Sequence, residues 1–311
     1  MNYPFFFNSK NSLNLFGLQK NFDFISKLYL KKKLPKILML TGPKGSGKST
    51  LVNHFLYSVF DKDNYDINNF LLKTSTHFYK QFKDDFFSNI IYLKGSDFKS
   101  IKIEDIRNLR TRIFQSTILD KDRFIVLDDI ELFNHNSLNA LLKIIEEPTK
   151  NNYFFLINNK SKPLLDTIKS RSVEIKIALN ENQRLKIIDG LINNFKIKLV
   201  LDPKSSQLSP GNFVRFNHLC SEYNISPSTD FVENLSILLD LFKKNKDILF
   251  INLAFFIFEH YFKRFSERGS FNKNKIYEIK NEIFDILNNF KLYNINHTAL
   301  LNAVSSKLNY E

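Results

Sequence analysis

A chain of 311 residues, 43% of them hydrophobic, is long enough for more than one domain and apolar enough to bury a sizeable core, which excludes an intrinsically disordered protein. Its single cysteine, Cys220, excludes an intramolecular disulfide and any cysteine-cluster zinc site, and the most apolar stretch, Ile248 to Phe258, is broken by Asn252 and too short to span a membrane. The net charge of +13 keeps nucleic acid or another acidic partner in view, although heavy use of Phe, Asn, Lys and Ile without any Trp marks a compositional bias behind part of the lysine excess. The first residues, Met1 to Phe7, lack the basic region and cleavage site of a secretory signal, so a soluble, cytoplasmic protein is expected.

In chain order, a helix is predicted over Asn21 to Lys32, closed by lysines and Pro35. The apolar run Ile37 to Leu40 then reads as a buried strand, followed by Gly42-x-x-x-x-Gly47-Lys48-Ser49 and a helix from Leu51 to about Phe60. This is the full phosphate-binding loop (Walker A) pattern in its expected strand–loop–helix context. Glycines let the backbone wrap a polyphosphate, with N–H groups and the helix N-terminus pointing at the anion. Gly42, Gly45, Gly47, Lys48, Ser49 and Thr50 are the candidate nucleotide-binding residues, Lys48 reaching the β- and γ-phosphates and Ser49 ligating Mg²⁺.

Asp61 to Asn69 is polar and turn-like, Asn89 to Leu93 reads as a second strand, and Ile103, Ile106, Leu109 and Ile113 give a helical stripe. The third strand, Arg123 to Leu127, runs into Asp128 and Asp129. At the end of a buried strand, Asp128 is expected near Ser49, holding Mg²⁺ through water. Asp129 takes the place of a base that would polarise an attacking water, one methylene shorter than glutamate. A helix from Asn136 is stopped by Pro148, a fourth strand spans Tyr153 to Ile157 and ends in Asn158-Asn159, and a helical stretch over Pro163 to Lys169 leads to Ser170-Arg171-Ser172 and a short strand, Val173 to Ile177. Strands alternating with helices imply a mainly parallel α/β sheet whose ligands bind beyond the carboxyl ends of the strands, where Lys48, Asp128 and Asn159 fall. After about residue 179 the composition shifts: residues 180–224 read as a small helical unit with a Ser- and Pro-rich loop, Asp202 to Asn212. Amphipathic helices follow over Phe231 to Phe242, Ile248 to Phe265, Asn274 to Phe290 and His297 to Leu308.

Taken together, Thr41–Thr50, Ile103–Arg107, Val126–Asp129, Asn139-Ala-Leu-Leu-Lys143 with Glu146-Glu147-Pro148, and Leu165-x-Thr-Ile-x-Ser170-Arg171-Ser172 resemble the clamp-loader branch of the AAA+ ATPases, most of all the delta-prime subunits of bacterial DNA polymerase III. The resemblance covers roughly residues 15–180. It implies an AAA+ nucleotide-binding domain over 1–179, a helical lid over 180–224 and an all-α collar domain for oligomerisation over 225–311. It also implies ATP and Mg²⁺ without zinc, a place in a hetero-pentamer of loader subunits, and work on a sliding clamp and primed DNA. By position, Asn159 matches the sensor of the γ-phosphate, and Arg171 matches an arginine finger that serves the neighbouring subunit's ATP. Three departures stand out: the four-cysteine zinc module is absent, Ser172 stands where cysteine is usual, and Gly211, four residues before Arg215, occupies the lid position that carries an arginine in active loader subunits. Together with Asp129, Gly211 implies binding of ATP with weak hydrolysis at the chain's own site. The residues leave open a motor subunit of the same loader, an independent enzyme such as a nucleotide kinase, and a DNA-binding module without nucleotide chemistry.

Overall fold

The computed structural model describes residues 4–97, 103–114, 121–267, 273–293 and 296–308. Contacts divide the chain into two compact units, one formed by Tyr3–Lys196 with Ser206–Val214, the other by Ile197–Ser205 with Arg215–Glu311 and the first two residues.

The first unit is built on five parallel strands: β1 (Ile37–Thr41), β2 (Ile90–Lys94), β3 (Arg123–Asp128), β4 (Asn152–Asn158) and β5 (Val173–Lys176), in the order β2-β3-β4-β1-β5. Side chains alternate across a strand, so each apolar run supplies both faces of the sheet. On one face Leu38, Leu40, Phe124, Val126, Phe155 and Ile157 pack with Phe22 and Ile25 of α1 (Gln19–Leu30) and Leu51, Val52, Phe55 and Leu56 of α2 (Lys48–Phe60). On the other, Ile37, Met39, Ile125, Leu127, Phe154 and Leu156 pack with α4 (Ile103–Phe114) and α5 (His135–Ile145), and with Ile168 of the short α6 (Asp166–Ser170). Of the predicted stripe on α4, Ile106, Leu109 and Ile113 are buried, while the Ile103 side chain lies outside the described residues.

An element absent from the sequence reading is α3, His77–Lys83, which buries Phe78, Tyr79 and Phe82 and begins where the Thr76 hydroxyl accepts from the Tyr79 N–H at 3.1 Å. Aromatic rings organise this segment: Phe78 meets Tyr57 at 4.7 Å and Phe87 at 4.8 Å between centroids, and Phe60 meets Phe87 at 4.9 Å. Edge-to-face packing of this kind holds a short helix that its own propensity could not sustain. Residues 180–224 contribute α7 (Glu181–Phe195), opened by a capping box in which Asn180 and Gln183 bond each other's backbone, and α8 (Pro210–Glu222). The predicted loop to Asn212 therefore ends earlier: Pro210 is the first helical residue, where its missing N–H has no partner to lose.

In the second unit, α9 (Phe231–Asn245), α10 (Ile248–Glu267), α11 (Lys273–Tyr293) and α12 (His297–Leu308) match the four predicted helices, with ends shifted by up to three residues. Phe231, Leu235, Phe250, Ile257, Phe258, Ile283, Leu287, Leu300 and Val304 form its buried side. Among the described residues no helix is long and apolar enough to cross a membrane.

Behind α2, His54 is fully buried, with Nδ1 at 3.1 Å from the Tyr65 hydroxyl and Nε2 at 3.0 Å from the Ser12 carbonyl oxygen. Nε2–H donating to Ser12 and Nδ1 accepting from Tyr65 satisfy a neutral ring. Burial pushes its pKa down to about 4, the Ser12 hydrogen bond only partly opposing. Because the unfolded ring titrates near 6.5, the unfolded chain binds the extra proton first as pH falls, and this residue's contribution to stability is lost between about 6.5 and 4. Between pH 7 and 5 the expected loss is about 2 kcal/mol. Urea denaturation of wild type and His54→Gln at both pH values should show that loss in wild type alone, and equal slopes would contradict it.

Candidate functional site

Gly42 to Gly47 carry the chain from the carboxyl end of β1 into α2, and Gly45 and Gly47 adopt left-handed backbone, φ +83° and +90°. A side chain at either position would be strained, so glycine is what lets the loop curl into a cradle of backbone N–H groups at a helix N-terminus. Lys48, the first residue of α2, is 3% exposed and points into this loop: Nζ donates to the carbonyl oxygens of Gly42 at 2.8 Å and Pro43 at 2.7 Å, and to Ser46 Oγ at 3.3 Å. Burial pulls its pKa down to about 8, against the pull of Asp128, Glu131 and Asp129. An anion in the cradle would bring further negative charge to this buried ammonium. Thr50 follows on the same helix, partly buried.

Ser49 and Asp128 come together across 79 residues of sequence: the Ser49 hydroxyl donates to Asp128 Oδ2 at 2.8 Å. That oxygen also accepts from the Tyr92 hydroxyl at 3.0 Å, while Oδ1 accepts from the Asp129 N–H at 2.9 Å. Burial and the adjacent Asp129 charge push the Asp128 carboxyl up, with the Ser49 and Tyr92 hydrogen bonds opposing. A hydroxyl and a carboxylate oxygen converging beside a phosphate cradle fit Mg²⁺, which takes few protein ligands and completes its shell with water and phosphate oxygens. Among the described residues no group of three or more His, Cys, Asp or Glu gathers to hold a metal.

Asp129 is buried in left-handed backbone, φ +53°. Its Oδ1 accepts from Asn159 Nδ2 at 2.6 Å and lies 3.3 Å from Lys44 Nζ, inside the phosphate loop. Burial alone would raise this carboxyl, but Lys44, the Ser96 hydroxyl and Lys94 outweigh it and hold the group below its usual range. A carboxylate tied to a cation and an amide is a weak proton acceptor. The structure thus brings Asn159 and Asp129 into direct contact, an arrangement that sequence position alone did not predict. Glu131 steadies Asn159 from below, its carboxylate accepting from the Asn159 N–H at 3.2 Å and the Ser161 hydroxyl at 2.8 Å.

Gly211, singled out by the resemblance, lies directly against the phosphate loop. The Gly211 N–H donates to the Gly45 carbonyl at 2.8 Å, and the Ser209 hydroxyl donates to the Lys44 carbonyl. A Cβ on Gly211 would stand 2.9 Å from Gly45 Cα, so a longer side chain there would force the first turn of α8 off the loop.

Arg171 lies elsewhere. It caps α6 and precedes β5, whose Leu38↔Val173 and Thr41↔Lys176 register with β1 sets it at the amino end of the strands. The phosphate loop leaves the carboxyl end, roughly 15 Å away along the strand direction. Nη2 meets Glu146 Oε1 at 2.8 Å, Nη1 donates to the Thr167 carbonyl at 3.1 Å, and the side chain is 38% exposed. The Ser172 hydroxyl donates to the Lys169 carbonyl at 3.1 Å and lies 3.9 Å from Met39 Sδ. Lys44, Tyr92, Glu131 and Glu146 escaped the sequence reading. Lys44 sits in a free position of the loop pattern and Glu146 in a motif used only for recognition, so each carried a signal of place but none of partner.

A family model described as DNA polymerase III, delta subunit, matches residues 17–181, more than half of the chain. DNA polymerase III subunit delta′ of Buchnera aphidicola subsp. Schizaphis graminum is 26% identical over 222 residues, covering 67% of this chain and 59% of that protein. The delta′ subunit of Buchnera aphidicola subsp. Baizongia pistaciae is 35% identical over 88 residues, 28% of this chain and 26% of that one. The chain thus spans less than two thirds of these relatives' lengths. Among solved structures, a DNA polymerase III gamma subunit-related protein from Thermotoga maritima superposes with a TM-score of 0.51 at 16% identity, covering 92% of this chain and 98% of the other, which speaks to the fold. With the matched segment running from the entrance of α1 to the entrance of α7, the chain belongs to the DNA polymerase III delta subunit family and is similar to its delta′ subunits.

Proposed function

We propose that this chain is a clamp-loader subunit in DNA replication that binds ATP–Mg²⁺ at its own loop, hydrolyses it slowly, and lends Arg171 to the ATP of a neighbouring subunit while a sliding clamp is loaded onto primed DNA. The observation that carries the reading is the separation of the two cations. Lys48 is buried in the chain's own loop, and Arg171 stands half-exposed at the opposite end of the sheet, with partners, Glu146 and Thr167, that lie outside that loop. A guanidinium so far from the chain's own loop is placed to serve another chain's phosphates, and its planar fork suits the charge that develops on a transferring phosphoryl group. The groove between α4 and α5, lined by Arg107, Arg110, Asn139 and Lys143, supplies side chains suited to nucleic-acid phosphates, in keeping with the net charge of +13. The intact loop and the Ser49–Asp128 pair favour, as a second reading, a hydrolysing motor subunit of the same loader. The tied Asp129 and the glycine at 211 weigh against it.

Assembly is the first test. The full chain, mixed with gamma- and delta-type loader subunits, should co-elute with them on gel filtration as one complex, joined through the helices after residue 224. A chain ending at residue 224, checked by circular dichroism for retained structure, should elute apart. Co-elution of a folded truncated chain, or failure of the full chain to join, would sink the reading.

A further inference from the structure

We infer that Glu146 is a positioning residue for Arg171, holding the guanidinium at the subunit surface in the orientation in which a neighbour's phosphate meets it. The inference rests on the reading of Arg171 as a finger given above. Glu146 sits at the C-cap of α5, its own N–H bonded to the Leu142 carbonyl at 2.9 Å, on a helix anchored by the buried Leu138, Leu141, Ile144 and Ile145. Its carboxylate is therefore carried by a rigid element. Arg171 is carried by a different one, at the end of α6, and α5 and α6 are in contact. The guanidinium is gripped from both: Glu146 Oε1 takes Nη2 at 2.8 Å and the Thr167 carbonyl takes Nη1 at 3.1 Å.

Half-exposed ion pairs are screened by water and contribute little to stability, so the pair's consequence is orientation rather than folding. An arginine on a surface turn samples many rotamers, and each must be given up when it docks a phosphate. Tying two N–H groups to fixed acceptors removes that freedom beforehand. It also leaves three of the five guanidinium N–H donors for phosphate oxygens, so the pair persists when the phosphate is engaged. Glu146 acts through Arg171 and touches no nucleotide.

The test uses the complex assembled from the full chain and its loader partners, comparing wild type, Glu146→Ala, Glu146→Gln, Arg171→Ala and the double variant Glu146→Ala/Arg171→Ala. Glu146→Ala should lower the DNA-stimulated kcat at the neighbouring site about 10-fold, with KM for ATP and the elution of the complex unchanged. Glu146→Gln, which keeps an oxygen for Nη2 and also serves if the alanine variant fails to assemble, should fall between alanine and wild type. Added to Arg171→Ala, the Glu146 substitution should change nothing further. Wild-type turnover in the Glu146 variants beside an impaired Arg171→Ala overturns the inference and spares the finger. So does an additional loss in the double variant. Wild-type turnover in Arg171→Ala overturns the finger reading itself.

Discussion

Replacing Lys48 with alanine should weaken binding of ATP–Mg²⁺ to the isolated chain by about 10- to 100-fold, the range expected when one hydrogen bond to a charged group is removed. Lys48 is buried at the mouth of α2 with its ammonium turned onto the Gly42 and Pro43 carbonyls, and burial has already drawn its pKa down to about 8. A polyphosphate relieves that cost by bringing negative charge into the cradle, and alanine leaves the anion to the backbone N–H groups and helix N-terminus alone. Titration calorimetry on wild type and Lys48→Ala, with matched thermal unfolding to exclude a collapsed loop, measures the difference. Absence of binding to wild type at millimolar nucleotide would remove the loop from the account of function.

A larger loss is expected from Arg171→Ala, but only in the assembled complex. At the neighbouring site the chemical step should slow on the order of 10³-fold, as when a finger is withdrawn from a transferring phosphoryl group. Arg171→Lys should not rescue it, because an ammonium keeps the charge but loses the planar fork that bridges phosphate oxygens. Nucleotide binding by the isolated chain should be untouched, since Arg171 stands at the other end of the sheet from the loop. Single-turnover hydrolysis in complexes of verified composition reads the effect directly, and an unchanged rate would mean that Arg171 serves only its own surface.

The middle of the sheet was legible because β1, β3 and β4 hold short apolar runs that bury both faces: Phe124 to Leu127 are all inaccessible, and no polar residue interrupts them, whereas the edge strand β5 alternates with Glu174 and Lys176 and is largely exposed. The phosphate loop was legible because glycine positions with left-handed backbone are written into its spacing. The short α3 was not, since its stability comes from Tyr57, Phe60 and Phe87, which lie outside it, and its one local signal is the Thr76 cap. Nor could the sequence pair Asp129 with Lys44 and Asn159, or Arg171 with Glu146, because such contacts depend on which strand ends and helix ends the sheet order brings together. The close approach of Gly211 to Gly45 was not legible either, because it belongs to tertiary structure.

Whether the chain is a donor or a motor turns on the ranking of two variants in one assay. Steady-state ATPase, stimulated by primed DNA and clamp, should be measured on complexes carrying Arg171→Ala or Lys48→Ala in this subunit, each first shown to be intact by gel filtration. A donor with a slow site of its own predicts a clear fall for Arg171→Ala and a much smaller one for Lys48→Ala. The reverse ranking, with Lys48→Ala the more damaging, would contradict the account and make this subunit a motor.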